Sequence, residues 1–177
     1  LRAALWVVFV LLFAQVALGG WVSTNYAVLA CSTFPDCNGS WWPDMNFAQA
    51  LDIWRPLGLL SDGSHISFAA LTAIHYAHRL AAYVVIAAVL LLAYALRKQP
   101  ALASQRQWLL GLIALQFATG LSNVVLDWPL LAAVLHTGGA AALVTVMTWA
   151  LAATRTHSAL ALQEDHKAPH GARSIAA

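Results

Sequence analysis

The sequence predicts an all-α integral membrane protein, a bundle of four transmembrane helices with a long extracytoplasmic loop between the first and second helices. Of the 177 residues, 61% are hydrophobic and only 9% are charged, whereas soluble domains carry about 25% charge. Four apolar stretches are each long enough for a hydrocarbon core of about 30 Å. The net charge of +2, spread over scattered basic residues, argues against a nucleic-acid partner.

Lipid offers the backbone no hydrogen bonds, so the four apolar stretches must be helical. A short interfacial helix capped by Asn46 is predicted in the loop, at about residues 47–54. The first residue is Leu rather than Met, so we expect a processed product or a fragment of a longer chain. The first stretch is too long for the apolar segment of a signal peptide. The predicted boundaries are helices at about 4–20, 67–96, 108–126 and 130–153, an outer loop at 21–66, one four-helix unit at 1–155 and a disordered cytoplasmic tail at 156–177.

The distribution of basic residues predicts the orientation. They cluster between the second and third helices and after the fourth, whereas the outer loop has one basic residue, Arg55, and four aspartates. Both termini are therefore expected to face the cytoplasm or the mitochondrial matrix. The predicted location is the bacterial cytoplasmic (inner) membrane, crossed several times. The basic residues concerned are Arg2, Arg97, Lys98, Arg106, Arg155, Lys167 and Arg173.

A short repeat relates the two halves of the chain. The first helix contains Gln15 and Gly19, and the third contains Gln116 and Gly120 at the same spacing. The second and fourth helices each carry a histidine followed by small residues. The chain therefore reads as two helical hairpins of related design. The two glutamines either serve the same site or simply form interhelical hydrogen bonds.

Ionisable residues within membrane helices need a partner or a function. Nineteen residues separate His78 from Arg97, and the same number separates His136 from Arg155. Both helices run inward, so both histidines are predicted about 28 Å from the cytoplasmic basic residue, at equal depth. His75 lies one turn further out. The equal spacing to the basic residues therefore pairs His78, rather than His75, with His136.

Two histidines at equal depth on parallel helices favour a haem whose iron both imidazoles ligate. The alternatives are interhelical hydrogen bonding, a mononuclear zinc or copper site, which would lack a fourth ligand, and a proton relay without a membrane acid. Arg79 and His75 are candidate partners of the haem propionates. Arg79 could instead snorkel or bind backbone carbonyls.

The only two cysteines, Cys31 and Cys37, lie in the outer loop. An outward-facing loop is in an oxidising compartment, and Pro35 and the Asn38-Gly39 pair favour a turn, so a structural disulfide is predicted. A redox-active pair is the alternative. The histidines of the tail are interpreted as solvated rather than as metal ligands; they are His157, His166 and His170.

Several segments resemble the haem A synthase family. They are Gly19-Gly-Trp-Val-Ser-Thr-Asn-Tyr-Ala27 with the two cysteines that follow, Ile74-His-Tyr-Ala-His-Arg79, and Leu135-His-Thr-Gly-Gly139. The resemblance implies one of two fused four-helix bundles of an enzyme that oxidises the haem O methyl group to the formyl group of haem A, for cytochrome oxidase. It identifies the chain with the carboxy-terminal half, His78 and His136 with the axial ligands of a haem b, and Cys31 and Cys37 with its loop cysteines.

One departure from the family pattern limits the activity expected. The other half of the family carries a membrane glutamate near its His-Arg motif, and residues 72–77 contain no acid. No catalytic residue is therefore predicted, and this chain alone is not expected to oxidise haem O. Its expected partners are the missing amino-terminal half, haem O as substrate of the whole enzyme, the lipid bilayer, and haem O synthase or a second copy. The alternatives are a stand-alone bis-histidine membrane cytochrome and a scaffold without haem.

Overall fold

The computed structural model describes residues 1–60 and 62–167. Two single turns of 3₁₀-helix, Ala27–Leu29 and Pro100–Leu102, accompany the α-helices. Within the described ranges there are no strands, only two isolated backbone bridges, and the all-α prediction is confirmed. The α-helices are α1 (Arg2–Thr24), α2 (Phe47–Ala50), α3 (Phe68–Leu96), α4 (Ala103–Val125) and α5 (Leu130–Lys167).

Four helical spans are long and apolar enough to cross a membrane. They are Arg2–Thr24, Phe68–Leu96, Pro100–Val125 and Leu130–Arg155. Only 17–33% of the residues in their most apolar windows are buried within the bundle. The remaining apolar side chains point outward, as lipid-facing residues must. The four predicted membrane helices are confirmed.

Several helix boundaries differ from the prediction. Helix α1 continues four residues beyond residue 20, so the Gly19-Gly20 pair lies inside the helix. Helix α4 begins five residues earlier than predicted, because the polar segment before Trp108 is helical and buries Gln105. Helix α5 continues to Lys167. The rest of the predicted tail and the side chains of its three histidines lie outside what the structure describes.

The helices form a four-sided bundle. Helix α1 packs on α3, and α4 packs on α5, as expected for two helical hairpins. Contacts of α1 with α5 and of α3 with α4 join the hairpins into one bundle. Helices α3 and α5, the second and fourth crossings, therefore lie diagonally across the bundle and run in the same direction.

Buried apolar side chains form a large cluster in one half of the bundle and two small clusters near the loop between α1 and α3, which we call the first loop. The large cluster takes side chains from all four long helices and from Leu102. The small clusters join α3 to the first loop, one around Ala70 and Ile74 and the other around Tyr76 and the two cysteines. The two ends of the bundle are therefore packed separately.

The first loop is held by hydrogen bonds of its polar side chains with one another and with the backbone. Asn46 Oδ1 accepts the Gln49 amide at 3.1 Å and caps α2, as predicted, although α2 ends at Ala50 rather than at residue 54. The Ser67 hydroxyl lies 2.6 Å from Gln49 Oε1, at the point where Ser67 caps α3. The buried Arg55 donates to Asn25 Oδ1 at 2.7 Å. These bonds set the position of the loop above α3.

Candidate functional site

The two histidines of the predicted pair lie on the diagonal helices α3 and α5. Each is held by a glutamine of the neighbouring helix. Gln15 Nε2 donates to the His78 carbonyl oxygen at 3.1 Å, and Gln116 Nε2 donates to the His136 carbonyl oxygen at 2.8 Å. The repeat in the sequence therefore corresponds to the same glutamine–histidine contact in each hairpin. The predicted interhelical hydrogen bonding by both glutamines is confirmed.

A glycine one turn beyond each glutamine makes room for the imidazole. A Cβ atom added at Gly19 would lie 3.1 Å from His78 Cε1, and one added at Gly120 would lie 3.1 Å from His136 Cε1. Carbon atoms normally approach to about 3.5–4.0 Å. Glycine at these two positions therefore lets each ring lie against the backbone of the facing helix.

In the part of the bundle that the structure describes, no hydrophobic side chain is buried at the level of the histidines. Among the described residues, no hydrophobic side chain is buried within 13–21 of α1, 77–84 of α3, or 114–142 of α4, the connecting turn and α5. The half-buried positions there include small residues such as Ala81, Ala82 and Ala140. Protein interiors are normally close-packed with large apolar side chains. This histidine layer between the apolar clusters is therefore the part of the bundle best able to admit a flat apolar ligand.

The two rings differ in their hydrogen-bond partners. The Thr119 Oγ1 atom lies 3.0 Å from His136 Nδ1. At His78 the Gln15 amide nitrogen lies 3.1 Å from Nδ1 and 3.4 Å from Nε2. Thr119 is not among the residues predicted from the sequence, although its position three residues after Gln116 places it on the same helix face.

Arg79 and His75 both bind the first loop. The buried Arg79 guanidinium donates to the carbonyl oxygens of Asp36 at 2.6 Å, Thr33 at 2.9 Å and Cys31 at 3.4 Å. His75 Nδ1 lies 3.0 Å from the Ala27 carbonyl oxygen. Arg79 therefore binds backbone carbonyl oxygens, which was one of the alternatives that the sequence left open. Contact of either residue with a haem propionate stays a prediction.

Cys31 and Cys37 form the predicted disulfide, and both are buried. Tyr76 packs against the pair and donates its hydroxyl to the Trp41 carbonyl oxygen at 2.6 Å. Phe34, within the disulfide loop, makes an edge contact with Phe117 of α4, with the ring centroids 6.3 Å apart. The loop thus bridges α3 and α4 beside the histidine layer.

The donor set of the layer fits a haem better than a bare metal ion. No group of three or more His, Cys, Asp or Glu side chains among the described residues is arranged to hold an ion. Two imidazoles on separate helices are the axial donor set of many haem proteins. The two glycines lie against the imidazoles, and small residues such as Ala81 and Ala140 occupy half-buried positions nearby.

These features define a multi-pass four-helix membrane protein whose interior carries a histidine on each of two diagonal helices. The chain belongs to the cytochrome oxidase assembly protein family, COX15-CtaA, whose model matches residues 1–148. It is 40% identical to a Heme A synthase of Shewanella oneidensis over 136 residues, which are 77% of this chain and 41% of that protein. It is 44% identical to a Heme A synthase of Shouchella clausii over 50 residues, which are 27% of this chain and 16% of that protein. No solved structure matches the chain.

The family resemblance found in the sequence is therefore confirmed. The matched region includes both histidines, both cysteines and nearly all of the four membrane-spanning helices. The chain spans less than half the length of the Shewanella relative.

Proposed function

We propose that this chain is the haem-b-binding half of a haem A synthase, the enzyme that oxidises the haem O methyl group to the formyl group of haem A for cytochrome oxidase. The observation that carries the proposal is the histidine layer. Two imidazoles on diagonal helices occupy the one level of the described bundle without buried apolar side chains. The family of the chain supports a role in haem chemistry.

In this proposal His78 and His136 would hold the haem iron, and the chain would supply binding and orientation. A bound haem b would accept and pass on single electrons. Gly19 and Gly120 give the imidazoles room beside the facing helices. Arg79 and His75 hold the first loop above the layer, where they are also candidate partners of the propionates.

The substrate chemistry belongs, in this proposal, to a second half that the chain does not include. The segment before His78, residues 72–77, has no acid that could move a proton within the membrane. The chain covers 41% of the Shewanella relative, which leaves room there for a second unit of similar size. The partners proposed are that amino-terminal half, haem O as its substrate, and haem O synthase or a second copy of the chain.

The proposed location is the bacterial inner membrane, with both termini in the cytoplasm. The disulfide supports an extracytoplasmic first loop, because disulfides persist in oxidising compartments. The basic residues between α3 and α4 support the cytoplasmic side for the opposite end of the bundle.

A reduced-minus-oxidised absorption spectrum of the purified protein tests the haem site. The wild type is expected to show low-spin haem b, and extraction should identify the haem as type b. His78→Ala and His136→Ala should each abolish the low-spin spectrum, because each removes one of two axial ligands. His65→Ala is the matched control, since His65 is exposed in the first loop. Absence of haem from wild-type protein made with ample haem would overturn the proposal.

Product analysis tests the assignment to a half enzyme. The chain supplied with haem O and a reductant should yield no haem A, whereas co-expression with an amino-terminal half should restore the reaction. Haem A formed by the chain alone would show that it contains the substrate site itself.

A further inference from the structure

The two histidines of the layer have different hydrogen-bonding partners, and we propose that this makes their roles unequal. Thr119 acts as a positioning residue that makes His136 the anchored ligand of the pair, whereas His78 is the labile ligand. This inference rests on the proposed haem site and assigns a separate role to each ligand.

The bonds of the Thr119 hydroxyl determine which ring nitrogen of His136 carries the proton. A threonine hydroxyl has one hydrogen and two lone pairs. Its oxygen lies 2.8 Å from the Leu115 carbonyl oxygen, which can only accept, so the hydroxyl hydrogen is used there. His136 Nδ1, at 3.0 Å, must then be the donor. Thr119 is itself buried, 6% exposed, so water does not compete for this bond.

A neutral imidazole with its proton on Nδ1 has a free lone pair on Nε2. That is the state in which a histidine ligates a metal, and a hydrogen bond to the Nδ1 proton fixes the ring orientation and raises the basicity of the ligating nitrogen. His136 is therefore ready to ligate through Nε2 before any ligand arrives. Its backbone is held as well, by the bond from Gln116 to its carbonyl oxygen.

The equivalent position in the other hairpin, three residues after Gln15, is Leu18, which has no hydroxyl. The Gln15 amide nitrogen lies 3.1 Å from His78 Nδ1 and 3.4 Å from His78 Nε2, and an amide N–H group can only donate. The shorter contact makes His78 Nδ1 the acceptor, and in the neutral ring the proton is then on Nε2. The same amide nitrogen also donates to the His78 carbonyl oxygen, and this second bond holds the amide in that orientation.

His78 must therefore release Gln15 and move its ring proton before its Nε2 can ligate. The buried Gln15 Oε1 atom has no hydrogen-bond partner among the described residues. A buried polar atom without a hydrogen bond costs free energy. A rearrangement of the Gln15 amide that gives this oxygen a partner would therefore be favourable. In a turned amide, Gln15 Oε1 would accept a hydrogen bond from the protonated Nδ1 of His78. The requirement to rearrange sets His78 apart from His136.

The unequal roles are tested with the single histidine variants already described, by following haem retention rather than the low-spin spectrum. His78→Ala protein should keep one high-spin, five-coordinate haem bound through His136. His136→Ala protein should lose its haem during purification. Thermal melts of both variants in detergent, without haem, control for folding.

Thr119 is tested in the His78→Ala background by titration with haem. Thr119→Val keeps the shape of the side chain but removes the hydroxyl, and it should weaken haem binding about tenfold, the usual cost of losing an outer-shell partner. Thr119→Ser restores the hydroxyl and should restore the affinity. In the protein with both histidines, Thr119→Val should raise the midpoint potential of the haem by about 59 mV. This shift corresponds to a tenfold change in the one-electron equilibrium.

Equal haem retention by the two single-histidine variants, or retention by His136→Ala alone, would overturn the unequal roles. Unchanged affinity and potential in Thr119→Val would overturn the role of Thr119. Both results are distinct from failure of the proposed function, in which the wild-type protein itself would bind no haem.

Discussion

Replacement of Gly19 or Gly120 by alanine should weaken haem binding without unfolding the bundle. The added Cβ would lie 3.1 Å from Cε1 of His78 or His136, respectively. The normal carbon–carbon approach is about 3.5–4.0 Å, so each imidazole would have to move by a few tenths of an ångström or more.

The magnitude follows from the side-chain torsions. Displacing a side chain about 30° from its preferred rotamer costs roughly 0.5–1.5 kcal/mol, which corresponds to about a two- to twelvefold loss of haem affinity. The backbone should benefit in the same variants, because alanine is favoured over glycine inside a helix by about 1 kcal/mol. This gain offsets the strain at the imidazole in the haem-free protein, so its stability is expected to stay close to that of the wild type while the haem affinity falls.

The assay is a haem titration of the haem-free protein in detergent, followed by a thermal melt of the same samples. Gly20→Ala is the matched control, because a Cβ at this position meets no atom within 4 Å although the residue adjoins Gly19. It should gain stability and keep its haem affinity. Equal haem affinity of Gly19→Ala and Gly20→Ala would refute the argument that glycine is required beside the imidazole.

Two further predictions concern the first loop. Arg79→Ala should lower the free energy of unfolding by about 3 kcal/mol, because a buried guanidinium that binds three carbonyl oxygens is lost. The measurement is a thermal melt in detergent. Arg97→Ala, at an exposed position, is the control and should change the free energy of unfolding little. Replacing both Cys31 and Cys37 by serine should cost about 2 kcal/mol, since the bridge closes a short loop, and should speed proteolysis of that loop.

Each of these loop predictions has a result that would count against it. An Arg79→Ala protein as stable as Arg97→Ala would mean that the loop carbonyls find other donors. A double serine variant with wild-type proteolysis would mean that contacts such as Tyr76 against the cysteines hold the loop without the bridge.

The sequence by itself was sufficient for the membrane helices and for the repeat that relates the two hairpins. Hydropathy is a sum over consecutive residues, so four spans could be found without knowing their neighbours. The repeat of Gln15 and Gly19 in Gln116 and Gly120 was visible as spacing, because residues four apart share a helix face. Helix ends were less well predicted, since polar residues such as Gln105 extend a helix when packing buries them.

Only the tertiary structure decided what each polar group binds. The carbonyl oxygens that Arg79 contacts belong to residues more than 40 positions away in the chain, and no spacing rule reaches that far. The difference between His78 and His136 arises in the same way, because it depends on which side chain of the facing helix, Thr119 or Gln15, reaches the ring. Local sequence determines which residues lie on a helix face, whereas the packing of one helix on another determines where the protons lie.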